Sequence, residues 1–174
     1  IGFTVSAQIA TSGTTNSGTN ASAIGYQTSA TNTVSTAMGR ETLASGVTST
    51  AMGYQTSATN TASTAIGNNS TASGITSTAI GNNSTASGET SIAMGFETEA
   101  THSASLAMGY QTSSTEGASS AMGFKTTASG FGSTSIGYET VASGNSSTAM
   151  GWLTTANGKA SIAMGKSTIA SDFG

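Results

Sequence analysis

The side chains that could do acid–base or nucleophilic chemistry are few, and they are badly spaced for it. His102 is the single histidine, Asp172 the single aspartate, and there is no cysteine. General acid–base catalysis needs such groups to converge in a cleft. Glu97 and Glu99 lie two apart, as a solvated or subunit-rim pair on one strand face would. There is no histidine pair or cysteine cluster for zinc, and no glycine-rich phosphate loop ahead of a helix. Neither an enzyme, a cofactor nor a metal is expected. What remains is recognition chemistry. Seven of the ten aromatics, Tyr26, Tyr54, Phe96, Tyr110, Phe124, Tyr138 and Trp152, each stand one residue after a recurring glycine. Arg40, Asn68, Asn82 and Lys166 fill the same place in other copies. Such a ladder could serve as a sugar- or protein-binding stripe. Its register favours packing inward or against another chain.

The element that positions these residues is a repeat. Ala-Ile-Gly or Ala-Met-Gly recurs every fourteen residues, with glycines from Gly25 and Gly39 through Gly165 in eleven copies. Ser135 is the one change in the alanine place. A fixed period of this length marks a solenoid. Charged residues are 6 % of the chain, against about 25 % in ordinary domains, which would suit a disordered tract. Yet all seven methionines directly precede a repeat glycine, and disorder gives no reason for that register. Proline is absent, as suits a continuously paired backbone. Four basic residues and a net charge of −3 make nucleic-acid binding unexpected. No run approaches a membrane span, so no direct membrane contact is expected from this segment.

Within the unit, Ser stands four residues before the glycine, Thr or Ser three after it, and Ala five after it in nearly every copy. Long polar side chains prefer the second place after it, as at Gln27, Glu41, Asn69 and Lys125. This alternation has the strand period of two. Seven residues after the glycine come Gly46, Gly74, Gly88, Gly130, Gly144 and Gly158, with Asn32, Asn60, His102 and Asp172 in other copies. These types tolerate positive φ, which predicts a tight bend there with a strand on each side. Glu116 is the exception, and Gly117 follows it. The expected architecture is all-β, a parallel roll of stacked fourteen-residue coils.

Residues 1–20, with Ile1, Phe3, Val5 and Ile9, read as an N-terminal cap or a degenerate repeat, and 21–174 as the eleven-repeat roll. Extended through each copy, the alternation predicts a core ladder of Ile24, Met38, Met52, Ile66, Ile80, Met94, Met108, Met122, Ile136, Met150 and Met164. Small side chains fill the other inward places. One roll would then bury little apolar area, so part of the ladder is expected between chains.

The unit running from Ser49 to Ala62, Ser-Thr-Ala-Met-Gly-Tyr-Gln-Thr-Ser-Ala-Thr-Asn-Thr-Ala, resembles the YadA-like head repeats of trimeric autotransporter adhesins. The resemblance spans about residues 21–172. It implies a left-handed parallel β-roll, three rolls side by side as a homotrimer, and the Ile/Met and Ala positions near roll core and trimer interface. It implies an outer-membrane-anchored, extracellular adhesin head attaching to host, matrix or other surfaces through an unidentified protein or glycan. Similar repeats occur in phage tail fibres, so a virion fibre segment is the first alternative. An ice-binding β-solenoid is the second. It is disfavoured because the Thr three residues after the glycine shares parity with the expected core.

Overall fold

The computed structural model describes residues 12–171. Ile1, Phe3, Val5, Ile9 and Asp172, which the sequence reading used, lie outside the described residues. Two parallel sheets run the length of the molecule. One has 11 five-residue strands, from Ser22–Tyr26 to Ile162–Lys166, and the other 12 two-residue strands, from Thr15–Asn16 to Ile169–Ala170. Each strand pairs with its equivalent fourteen residues on, so like meets like: Ile80 with Met94, Gly81 with Gly95, Phe96 with Tyr110. At the usual strand spacing the long-strand sheet is about 50 Å from end to end. Among the described residues there is no helix. Thr15–Asn16 pairs with Ser29–Ala30, and Ser12 bridges Tyr26, so Ser12–Asn20 forms part of a coil in the register of the repeats.

Each coil is a long strand, a corner, a short strand and a second corner. The first corner holds a left-handed residue two after the glycine, such as Gln55 at φ 53. The second holds one nine after it, such as Thr48 at φ 55. Backbone bonds to the coil before hold both, with Gln55 N–H donating to Arg40 O at 2.9 Å and Thr48 N–H to Thr33 O at 2.9 Å. These corners correct the sequence reading in two ways. The six glycines from Gly46 to Gly158 open the second corner and are buried there, but none is left-handed. The positive φ falls two residues later, on Val34, Thr76 or Ala160.

The second correction concerns the core. A left-handed residue turns the chain so that the inward parity changes, and each coil therefore changes it twice. In the long strand the inward residues are Ser and Ala, four and two before the glycine. In the short strand they are Thr and Ala, three and five after it. The interior consists of alanines such as Ala37, Ala44, Ala93, Ala100 and Ala107, all fully buried, between buried Thr28, Ser35, Thr42 and Ser49. The Ile/Met ladder is not this core. None of its members is buried, and Met38, Met108 and Met164 are exposed. With parity carried unbroken through the corners, the wrong face of the long strand is assigned to the inside, while the short strand, with Thr28, Ala30, Thr42 and Ala44 inward, is read correctly.

A narrow interior explains the small residues. Where serine replaces alanine its hydroxyl is satisfied: Ser135 Oγ donates to Thr140 O at 2.9 Å, and Ser114 Oγ pairs with Ser119 Oγ at 2.6 Å. The Oγ1 atoms of Thr28, Thr42, Thr56, Thr112, Thr126 and Thr154 are buried without a partner. An unpaired buried hydroxyl costs about 1–3 kcal/mol. Thr56→Val is therefore expected to stabilise the roll by about 1 kcal/mol, read as a rise in denaturation midpoint. An unchanged or lower midpoint would show that the hydroxyl is satisfied after all.

Candidate functional site

The outer face of the long-strand sheet carries the residues that the sequence singled out. Three columns run along it: three before the glycine, one before it (Ile/Met) and one after it (mostly aromatic). Midway along the rod the first column turns apolar at Ile92 and Leu106, beside Met94, Met108, Phe96 and Tyr110. Ile92 is 38 % exposed and Phe96 37 %, too open for core residues. The opposite outer face, on the short strands, presents mainly hydroxyls, as at Ser57, Thr71, Thr85 and Thr127. The Thr column three after the glycine faces inward and is buried, so it presents nothing to an ice surface.

The aromatic residues point outward, which removes the expected inward packing and leaves packing against another chain untested. Their spacing is that of the coils, so the rings stack. Phe96, Tyr110, Phe124, Tyr138 and Trp152 form an unbroken pile with centroids 4.9, 4.9, 4.8 and 3.9 Å apart and interplanar angles of 6–7°. At the other end Arg40 lies between Tyr26 and Tyr54, its guanidinium carbon 5.7 and 5.4 Å from their centroids. Glu41 Oε1 accepts from Arg40 Nε at 3.0 Å, and Glu41 Oε2 from Gln55 Nε2 at 2.8 Å. Loss of solvation, and then the neighbouring Glu139, hold the Tyr138 phenol above the usual tyrosine range.

Inside the pile each ring covers its neighbours' faces and leaves only edges to solvent. Stacked aromatic pairs contribute about 0.5–1.5 kcal/mol each beyond their area. Tyr110→Ala removes two such contacts and is expected to cost about 1–3 kcal/mol. The near-ultraviolet circular dichroism of coupled rings should fall with it. An unchanged spectrum would mean that the rings do not stack in solution.

Asn68 and Asn82 interrupt the ladder between the two aromatic groups. In the next column Asn69 Nδ2 donates to Asn83 Oδ1 at 2.6 Å. His102, in the second corner, is exposed and lies 3.2 Å by Nδ1 from Thr101 Oγ1, a turn contact with its sequence neighbour. Glu97 and Glu99 are both exposed, and Glu97 Oε2 accepts from Gln111 Nε2 at 2.6 Å. Among the described residues no group of three or more His, Cys, Asp or Glu side chains is arranged to hold a metal. Alternation alone puts the alanine column two before the glycine on the outside, although the family resemblance places alanine near the core. The signal for an inward column was available: alanine stands two before the glycine in every copy save at Ser135, a regularity that a solvent face does not need.

A parallel β-solenoid of fourteen-residue coils, with an alanine interior and an apolar outer face, is the class that fold and surface define. The profile described as YadA head domain repeat (2 copies) matches residues 17–42, 44–70, 72–98 and 128–154, more than half of the chain. The chain belongs to the YadA head domain repeat family. No protein of curated function matches it in sequence.

Proposed function

We propose that this chain is the head of an extracellular trimeric adhesin, non-enzymatic, with three rolls packed side by side through the outer face of the long-strand sheet. One observation carries the reading. The large apolar side chains lie outside the roll, while alanine and small hydroxylated residues fill it. A contiguous apolar face of this length is rarely left in water. Three rolls around an axis cover it, with the Ile/Met column, mid-strand, nearest the axis. The aromatic column then lies at the flank and the hydroxyl face outside. The assembly displays the same weakly charged surface three times, so weak contacts to an extracellular protein or glycan add up by avidity. Family membership supports adhesion and a cell-surface location. Light scattering over a range of concentrations tests the assembly. The expected mass is three times 16.9 kDa at every concentration, and a well-folded monomer would overturn it.

A further inference from the structure

The ring ladder is broken for two coils, and the break has the form of a binding slot. Tyr54 and Phe96 are three coils apart, about 14 Å at the strand spacing. Between them stand only Asn68 and Asn82, whose side chains are shorter than the rings they replace. One face of Tyr54 is taken by Arg40, and one face of Phe96 by Tyr110. The other face of each looks along the rod into the gap. Inside the pile Tyr110, Phe124 and Tyr138 have a ring on each face, whereas Tyr54 and Phe96 each turn one open face to the gap. These two faces are the free ones beside a polar floor. Asn68 is exposed and Asn82 half-buried, and neither side-chain amide has a hydrogen-bond partner among the described residues. Alongside, the Asn69–Asn83 bond leaves the Asn69 carbonyl and three amide hydrogens of the pair unused.

We propose that this slot binds a neutral saccharide, with pyranose rings in the two vacant places of the ladder. The axial C–H face of a sugar packs on an aromatic face. Its hydroxyls both donate and accept, which amides match and one-sided charged groups do not. Glu97 flanks the slot at its Phe96 end and disfavours an anionic sugar, while the Glu41 charge one coil beyond Tyr54 is paired with Arg40. Glu97 likewise disfavours a nucleobase with its phosphate, on a chain of net charge −3. This assignment rests on the adhesive-head reading and names the ligand class for it.

The test uses the full chain and saturation-transfer NMR with millimolar maltotriose, cellotriose and chitotriose, and an oligothymidylate as competitor. Asn68→Tyr with Asn82→Tyr fills the gap with residues that the same column already carries, so the roll should keep its far-ultraviolet spectrum. Transfer to at least one trisaccharide is expected. The double variant should weaken it about tenfold or more, as loss of the stacked contacts implies. Tyr54→Leu with Phe96→Leu, which removes the free faces without filling the slot, should weaken it similarly. Tyr138→Leu, inside the covered pile, should leave it unchanged. Absence of transfer to all three sugars, equal transfer with the filled slot, or transfer to the oligonucleotide alone would each overturn the assignment. Beads coated with the filled variant that still adhere like the wild type would remove the slot and leave the adhesive reading standing. Loss of adhesion and of the trimer mass in the wild type would sink that reading itself.

Discussion

Gly109→Val is expected to destabilise the roll by at least about 3 kcal/mol, enough to leave much of the chain unfolded. Gly109 has φ +128, a region that L side chains rarely adopt, and a Cβ there would lie 2.0 Å from Gly123 O. That oxygen belongs to the backbone of the next coil and cannot turn aside. The same contact repeats from Gly25 to Gly151, at 1.8 to 2.1 Å. In a stack where each coil touches mainly its neighbours, a central break divides one solenoid into two shorter ones. Gly117→Ala is the control. Its Cβ would meet the Phe131 ring at 3.0 Å, on an exposed side chain that can move, and backbone no closer than Ser103 O at 3.8 Å. Its cost should stay below about 1 kcal/mol. Thermal and chemical denaturation followed by circular dichroism would show the contrast. Equal effects of the two substitutions would mean that the coils do not approach this closely.

Met108→Asp is expected to separate the chains without unfolding them. Met108 is 36 % exposed on the outer face of the long-strand sheet, while Ala107 beside it is fully buried. In an isolated roll the aspartate carboxylate reaches water. In a threefold assembly three carboxylates would be brought together in an apolar seam, at a cost of several kcal/mol per unpaired charge. The mass should fall from three times to one times 16.9 kDa, with the far-ultraviolet spectrum kept. An unfolded variant would place the ladder inside the roll. A variant that keeps the wild-type mass would place the interface on another face.

Much of the fold was legible because identical residues stack on themselves. The fourteen-residue period, the parallel pairing and the absence of helix among the described residues follow from Gly25 and its successors. A strand that pairs with its own copy keeps each column uniform, and a uniform column is visible as a repeat. The seven aromatics after the glycine were legible as a ladder for the same reason, although not the direction in which they point. Nor was the slot between Tyr54 and Phe96 readable as a site. In the sequence Asn68 and Asn82 are only two copies without a ring. They become the floor of a gap once the rings on either side prove to stack face to face along the rod.

Which face of the long strand lies inside was decided by tertiary structure alone. Alternation by two assigns faces only while the strand runs unbroken, and each coil breaks it at two left-handed corners. Gln55, Leu153, Val34 and Thr48 occupy those corners at φ 53, 53, 57 and 55 with no local reason to do so. Backbone bonds to the coil before hold them there, as Leu153 N–H donating to Tyr138 O at 2.9 Å and Val34 N–H to Thr19 O at 2.8 Å show. By itself the sequence determined the period, the columns and the close approach at each glycine. The stacked coils determined that alanine goes in and methionine and the rings go out, because a conformation unfavourable in one coil is stabilised by the next.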